Sequence, residues 1–284
     1  MFWQTGRYRI DLNQPRVMGI VNVTPDSFSD GGQWLDERAA LRHCEQLVAE
    51  GADMLDIGAE SSRPGAQRLS VEDEWARLLP VLQEAVKLGV PVSVDTCKPE
   101  IMRAALTLGA DIVNDIHALQ APGALEVLAE HGSAGLCLMH MRGDPASMQS
   151  LLDYQDVTAE VGRFLGERAL AARHAGIAAE RIVLDPGYGF AKSTEQNFQL
   201  LREQAQLCSL GYALLVGWSR KGSIGAVTGK PVGERLAGSI AAALAALAHG
   251  ASILRVHDVA QTVDAVKVWR AAGAPGATGF AIKI

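Results

Sequence analysis

Near-continuous apolar runs alternate with longer amphipathic stretches along most of the chain. The runs are RVMGIVN (16–22), ADMLDIG (52–58), VPVSVDT (90–96), ADIVND (110–115), AGLCLMH (134–140), RIVLDPG (181–187), YALLVGWS (212–219) and ASILRVHD (251–258). Short, uniformly hydrophobic runs of this kind mark parallel strands covered on both faces. Between them the amphipathic pattern predicts helices over Asp36–Glu50, Val71–Leu88, Pro99–Leu108, Tyr154–His174 and Gly233–His249. Gly51, Gly109 and Gly250 each stand where a helix ends in a left-handed cap before the next strand. Eight strand–helix units of about 32 residues fit a single (β/α)8 barrel, an α/β fold. Periodicity alone leaves a doubly wound open sheet as the alternative. One domain is expected, 1–284, with a barrel over 16–272. Residues 1–15 are expected to form a small N-terminal hairpin capping the barrel's bottom, and 273–284 a peripheral Gly- and Ala-rich tail.

Composition narrows the class. Hydrophobic residues make up 48% and charged residues 20%, which excludes wholesale disorder. The charge balance, 26 − 32 = −6, argues against nucleic-acid or anionic-membrane partners but allows a local cationic cluster for a small anion. The longest apolar run, Ile240–Ala248, has nine residues, far short of the roughly 20 a membrane span needs. The N-terminus lacks the apolar stretch of a secretory signal. Cys44, Cys97, Cys137 and Cys208 are scattered without a CxxC, which reads as reduced thiols. A cytoplasmic protein is expected.

In a barrel of this kind the chemistry collects where strands end. Here those ends carry Asn22, Asp95, Asn114-Asp115, His140, Asp185, Ser219-Arg220-Lys221 and Arg255-Val256-His257. Capping explains one polar strand end, but not seven or eight together. Alternation puts Arg255 and His257 on one face, Ser219 and Lys221 on one face, and Ser93 with Asp95. If Ile112 points inward, Asn114 rather than Asp115 enters the barrel mouth. Asp95, Asn114 and Asp185 follow apolar strands, so they form a deep, acceptor-rich set that could hold the paired N–H groups of an aminopyrimidine ring. Asn22, Arg63, Lys221, Arg255 and His257 form a cationic, donor-rich rim suited to phosphate. Asp53, Asp111 and Asp258 read as helix-side or capping residues, and His140 between two methionines stays ambiguous.

The blocks MGIVNVTPDSFSDGG (18–32), DIGAESSRPGA (56–66), SVDTCKP (93–99), VNDI (113–116), LMHMRG (138–143), LDPGYGF (184–190), GWSRKG (217–222) and RVHDV (255–259) resemble the dihydropteroate synthase family at all eight strand ends, in order. The resemblance implies a TIM barrel and a cytoplasmic homodimeric transferase of folate biosynthesis, the target of sulfonamides. Its substrates would be 6-hydroxymethyl-7,8-dihydropterin pyrophosphate and p-aminobenzoate, with Mg²⁺ as cofactor. It further implies pterin contacts from Asp95, Asn114, Asp185 and Lys221, with Met139 and Phe190 flanking the ring. Asn22 would be the Mg²⁺ ligand, and Ser62, Arg255 and His257 the pyrophosphate site. Phe28, Arg63, Pro64 and Ser219 would lie near p-aminobenzoate, the first three on two mobile loops (23–32 and 60–66). Catalytic weight falls on Lys221, Arg255, His257, Asp95 and Asp185. Ser62, Cys97 and Tyr188 depart from the family's commoner Thr, Ser and Phe without removing a needed group. Two other readings remain at this point: a non-catalytic paralogue, and a pterin-binding methyltransferase domain acting with a corrinoid protein.

Overall fold

The computed structural model describes residues 1–24, 33–60 and 68–273, with 33–37 described by backbone alone. Phe28, Ser62, Arg63 and Pro64 therefore lie outside the described residues, as does the tail beyond Gly273. A hairpin of β1 (Phe2–Thr5) and β2 (Tyr8–Asp11) comes first. Eight parallel strands follow: β3 (Arg16–Asn22), β4 (Met54–Gly58), β5 (Val92–Asp95), β6 (Ile112–Asp115), β7 (Gly135–Met139), β8 (Ile182–Asp185), β9 (Ala213–Val216) and β10 (Ala251–Val256). Each pairs with the next, and β10 closes on β3 with Ile253 opposite Arg16. The sheet is a closed barrel, which excludes the open-sheet alternative.

The helices between them are α1 (Gln33–Ala49), α2 (Val71–Ala85), α3 (Pro99–Leu108), α4 (Ala124–His131), α5 (Val157–His174), α6 (Thr194–Glu203), α7 (Gly222–Thr228), α8 (Leu236–Ala248) and α9 (Val259–Ala271). The expected Tyr154 start of α5 is three residues early. The chain turns helical only after Asp156, whose carboxylate accepts from the Thr158 and Ala159 amides. Gly51, Gly109 and Gly250 all take positive φ, as their position between helix and strand requires.

Alternation divides the apolar strand residues into two cores. One side packs against the helices. The other fills the barrel's lower interior with Met18, Met54, Ile112, Cys137, Val183, Leu215 and Ile253. The hairpin closes that end. Trp3 packs onto this cluster beside Ile10 and Leu12, and its indole N–H donates to the Arg181 carbonyl at 2.9 Å. Burying such a ring contributes about 4–6 kcal/mol before entropic losses. The hairpin turn is held by Arg7, whose Nη2 pairs with the buried Asp111 at 2.8 Å. Asp53 likewise pairs with Arg16 and accepts from the Val17 amide, so both aspartates are structural.

Candidate active site

With the lower interior filled, the next inward positions up the strands line the open end. Ile112 points inward, so Asn114 enters the mouth. Asp115 points the other way, where its oxygens accept from the His117 and Leu119 amides at 2.7 Å. Register places Asn114 opposite Asp95, and Asp185 opposite Met139. These four lie around a cleft of about 340 Å³, together with Phe190, Lys221 and Arg255.

The expected separation of deep acceptors from a cationic rim is not kept. Arg255 reaches inward, its Nε donating to Asp56 at 2.5 Å and its Nη2 to Asp95 at 2.7 Å. The buried Asp56 and the half-buried Asp95 demand a counter-charge, and the guanidinium supplies it. Burial works against the Arg255 charge, and Asp56 and Asp95 more than offset it. One guanidinium serving two acids leaves an excess of negative charge. Burial pushes Asp95 up to about 7, with Arg255 opposing and Asp56, Asp115 and Glu74 adding to the rise.

Asp185 is also raised by burial, against the Gly187 amide, which donates to its Oδ1 at 2.8 Å. Lys221 faces the same cleft, with its Nζ 4.2 Å from the centre of the Phe190 ring. Burial lowers Lys221 to about 8, with Asp185 opposing. Gly189 makes this approach possible, because a Cβ there would stand 2.9 Å from the Lys221 Cδ.

Alternation does not govern Ser219 and Lys221. β9 ends at Val216, and Arg220, at φ +59°, reverses the chain before Lys221 precedes α7. Arg220 pairs with Asp258, which is thus no ligand. Ser219 still meets His257. Its Oγ accepts from the His257 amide at 3.2 Å and lies 3.0 Å from Nδ1. The hydroxyl can donate to Nδ1 or accept from it, and either way it anchors the ring. His257 is not the cation expected from sequence. Burial, then Arg220 and Arg255, lower it to about 3, so it is neutral at pH 7. Asn22 ends β3 opposite Gly58 and is partly exposed.

Asp56, Lys192 and Glu74 escaped sequence reasoning. Asp56, on β4, is fully buried and also accepts from Asn114 Nδ2 at 3.0 Å. Lys192 is buried behind the cleft wall, with its Nζ at 2.9 Å from His140 Nδ1 and 3.0 Å from the carbonyls of Gly187 and Phe190. Burial lowers it to about 7. His140, edge-on to Phe164 at 5.0 Å, is thereby a packing and anchoring residue. A second cleft of about 330 Å³ adjoins the first beyond Asp95, where Lys98 bridges Glu60 at 2.5 Å and the buried Glu74.

Known proteins match along nearly the whole chain. Residues 18–257 fit the family described as pterin binding enzyme. The dihydropteroate synthase of Neisseria meningitidis serogroup B is 53% identical over 277 residues, covering 95% of this chain and 97% of that protein. The structure of the Xanthomonas albilineans dihydropteroate synthase with 4-aminobenzoic acid superposes with a TM-score of 0.89 at 52% identity, covering 94% of this chain and 96% of that one. The same organism's enzyme in complex with 7,8-dihydropteroate superposes with a TM-score of 0.86 at 50% identity, over the same shares. A closed barrel, an acceptor-lined mouth and this degree of identity make the chain a member of the dihydropteroate synthase family of pterin-binding enzymes.

Proposed function

We propose that this chain joins 6-hydroxymethyl-7,8-dihydropterin pyrophosphate to p-aminobenzoate, giving 7,8-dihydropteroate and pyrophosphate. The observation that carries this reading is the polarity of the cleft. Asp95, Asn114 and Asp185 offer acceptors in a cleft that the apolar Met139 and Phe190 also line. A flat heterocycle with several N–H donors is the complementary ligand.

In the reaction the C–O bond to the diphosphate breaks, and its electron pair leaves on the diphosphate oxygen. The arylamine lone pair forms the new C–N bond, and the proton it sheds goes to solvent. Ring delocalisation spreads the positive charge that develops, and the carboxylates of Asp95 and Asp185 stabilise it. Lys221, Arg255 and His257 hold the anionic end. Neither His257 Nε2 nor Arg255 Nη1 engages a described residue. Ser62 and Arg63 would add to the anion site, and Phe28, Pro64 and Ser219 to the p-aminobenzoate site.

The donor set suits Mg²⁺ arriving with the diphosphate. Asn22 offers one neutral oxygen, and the described residues hold no cluster of three or more acidic, His or Cys ligands. Mg²⁺ commonly keeps water and substrate phosphates as its other ligands. Bound there, it would neutralise charge on the leaving group.

The proposal includes a homodimer, for which Val227, Val232 and Val268 supply exposed apolar surface. It includes the cytoplasm, which suits four free thiols. No helix among the described residues is long and apolar enough to cross a membrane. Turnover with the two substrates, with and without Mg²⁺, is the test. Pyrophosphate release that depends on p-aminobenzoate is expected, and its absence would leave a non-catalytic paralogue.

A further inference from the structure

The buried Asp56 has no place in the reaction just described, yet it touches two residues that do. Its Oδ2 accepts from Asn114 Nδ2 at 3.0 Å and from Arg255 Nε at 2.5 Å. Its Oδ1 finds no hydrogen-bond partner among the described residues. Ser93, its register neighbour on β5, shows the same for its buried hydroxyl. A carboxyl group inside a barrel with one oxygen unpartnered is costly to keep. Plain packing would be served better by an apolar residue at this position, as Met54 does two places earlier on the same face.

The geometry points to Asp56 as a positioning residue that fixes the amide of Asn114 with its carbonyl oxygen toward the cleft. An amide can present either a donor or an acceptor, and nothing in Asn114 itself selects between them. A carboxylate accepts only. It takes the NH2 group of Asn114, and the amide oxygen is left on the other side, in line with the acceptors of Asp95 and Asp185. Were the amide reversed, two oxygens would face each other in the barrel, and the ligand's N–H would meet an N–H. Asp56 thus acts through Asn114 on which ring edge the cleft accepts. Arg255 loses its Nε partner when Asp56 is removed but keeps Asp95 through Nη2 at 2.7 Å. The inference rests on the pterin reading above and names the residue that enforces its polarity.

Non-additivity separates this role from a structural one. Calorimetric titration of 6-hydroxymethylpterin would compare the wild-type chain, Asp56→Ala, Asn114→Ala and the double variant, with thermal unfolding on each. Each single substitution is expected to weaken binding at least tenfold, and the double variant to fall within threefold of the weaker single one. Multiplying losses would overturn the inference. So would a lowered melting temperature with unchanged affinity. Should Asp56→Ala fail to fold, Asp56→Ser carries the same cycle, since a hydroxyl both donates and accepts and no longer selects the amide's orientation. Failure of the wild-type chain to bind the pterin would strike the pterin reading itself and this inference with it. Binding by the wild type with multiplying losses strikes the role of Asp56 alone.

Discussion

Asp185 tests the cleft most sharply, because its two oxygens have separate duties. Oδ1 accepts the Gly187 amide at 2.8 Å, which leaves the second oxygen for the cleft. Asp185→Asn can keep the Gly187 bond through its carbonyl oxygen, but it then places an NH2 group where a ligand N–H should arrive. Losing a charge-assisted hydrogen bond costs about 1.5–3 kcal/mol, and leaving the opposing donor buried and unpaired extends the range to about 2–5 kcal/mol. At 1.4 kcal/mol per decade, pterin affinity should fall roughly 30-fold or more. Stability should barely change. Asp185→Ala removes both duties: a buried amide left unpaired costs about 1–3 kcal/mol, or roughly 2–5 °C in melting temperature for a chain of this length. Titration with 6-hydroxymethylpterin and thermal unfolding of both variants give the four numbers required. If Asp185→Asn holds affinity within twofold while Asp185→Ala melts early, the residue is only a turn cap and the cleft has been misread.

Two further outcomes follow from the same geometry. His257 is lowered to about 3 in the folded chain against an ordinary 6.5, so below pH 6.5 the unfolded chain takes up a proton that the folded one refuses. Its contribution to stability is present above about 6.5 and fades as pH falls toward 3. A diphosphate beside the ring favours its charged form, so pyrophosphate binding at pH 6.5 should take up protons in calorimetry across buffers of different ionisation heat. His257→Gln should reduce that uptake, and equal uptake in both proteins would refute the assignment. Trp3→Ala should cost about 3–5 kcal/mol in denaturant unfolding with pterin affinity unchanged, and a parallel loss of affinity would show that the floor and the mouth are coupled.

The barrel was legible because parallel strands buried on both faces leave a period of apolar runs that few other folds share. The inward turn of Asn114 was legible too, since Ile112 two places before it could be recognised as core. Ser219 and Lys221 were not. The positive φ of Arg220 breaks the alternation that the reading assumed, and no residue type announces it. Asp56 was within reach: counting by twos from Met54 puts it inside, but a lone acid in an apolar run reads as tolerated. Glu74 was within reach on similar grounds, since it shares a helix face with Leu78 and Leu82. Lys192 reaches the cleft wall only through a turn with positive φ at Gly187, Gly189 and Ala191. The neutrality of His257 lies beyond any linear reading, because it sums burial with the charges of Arg220, Arg255 and Lys221, which only the fold brings together.

The hairpin leaves the ribosome before the barrel it caps, yet its seat is complete only with the last strand of that barrel. Trp3 rests on side chains from strands spread from Met18 to Ile253, and that ring closes only when β10 meets β3. Until then a nascent chain carries an apolar indole with nowhere to go and an open, unpaired strand edge on β3. Docking of the hairpin therefore reports that the barrel has closed. A chain truncated before β10 keeps both liabilities at once, the homeless indole and the open strand edge.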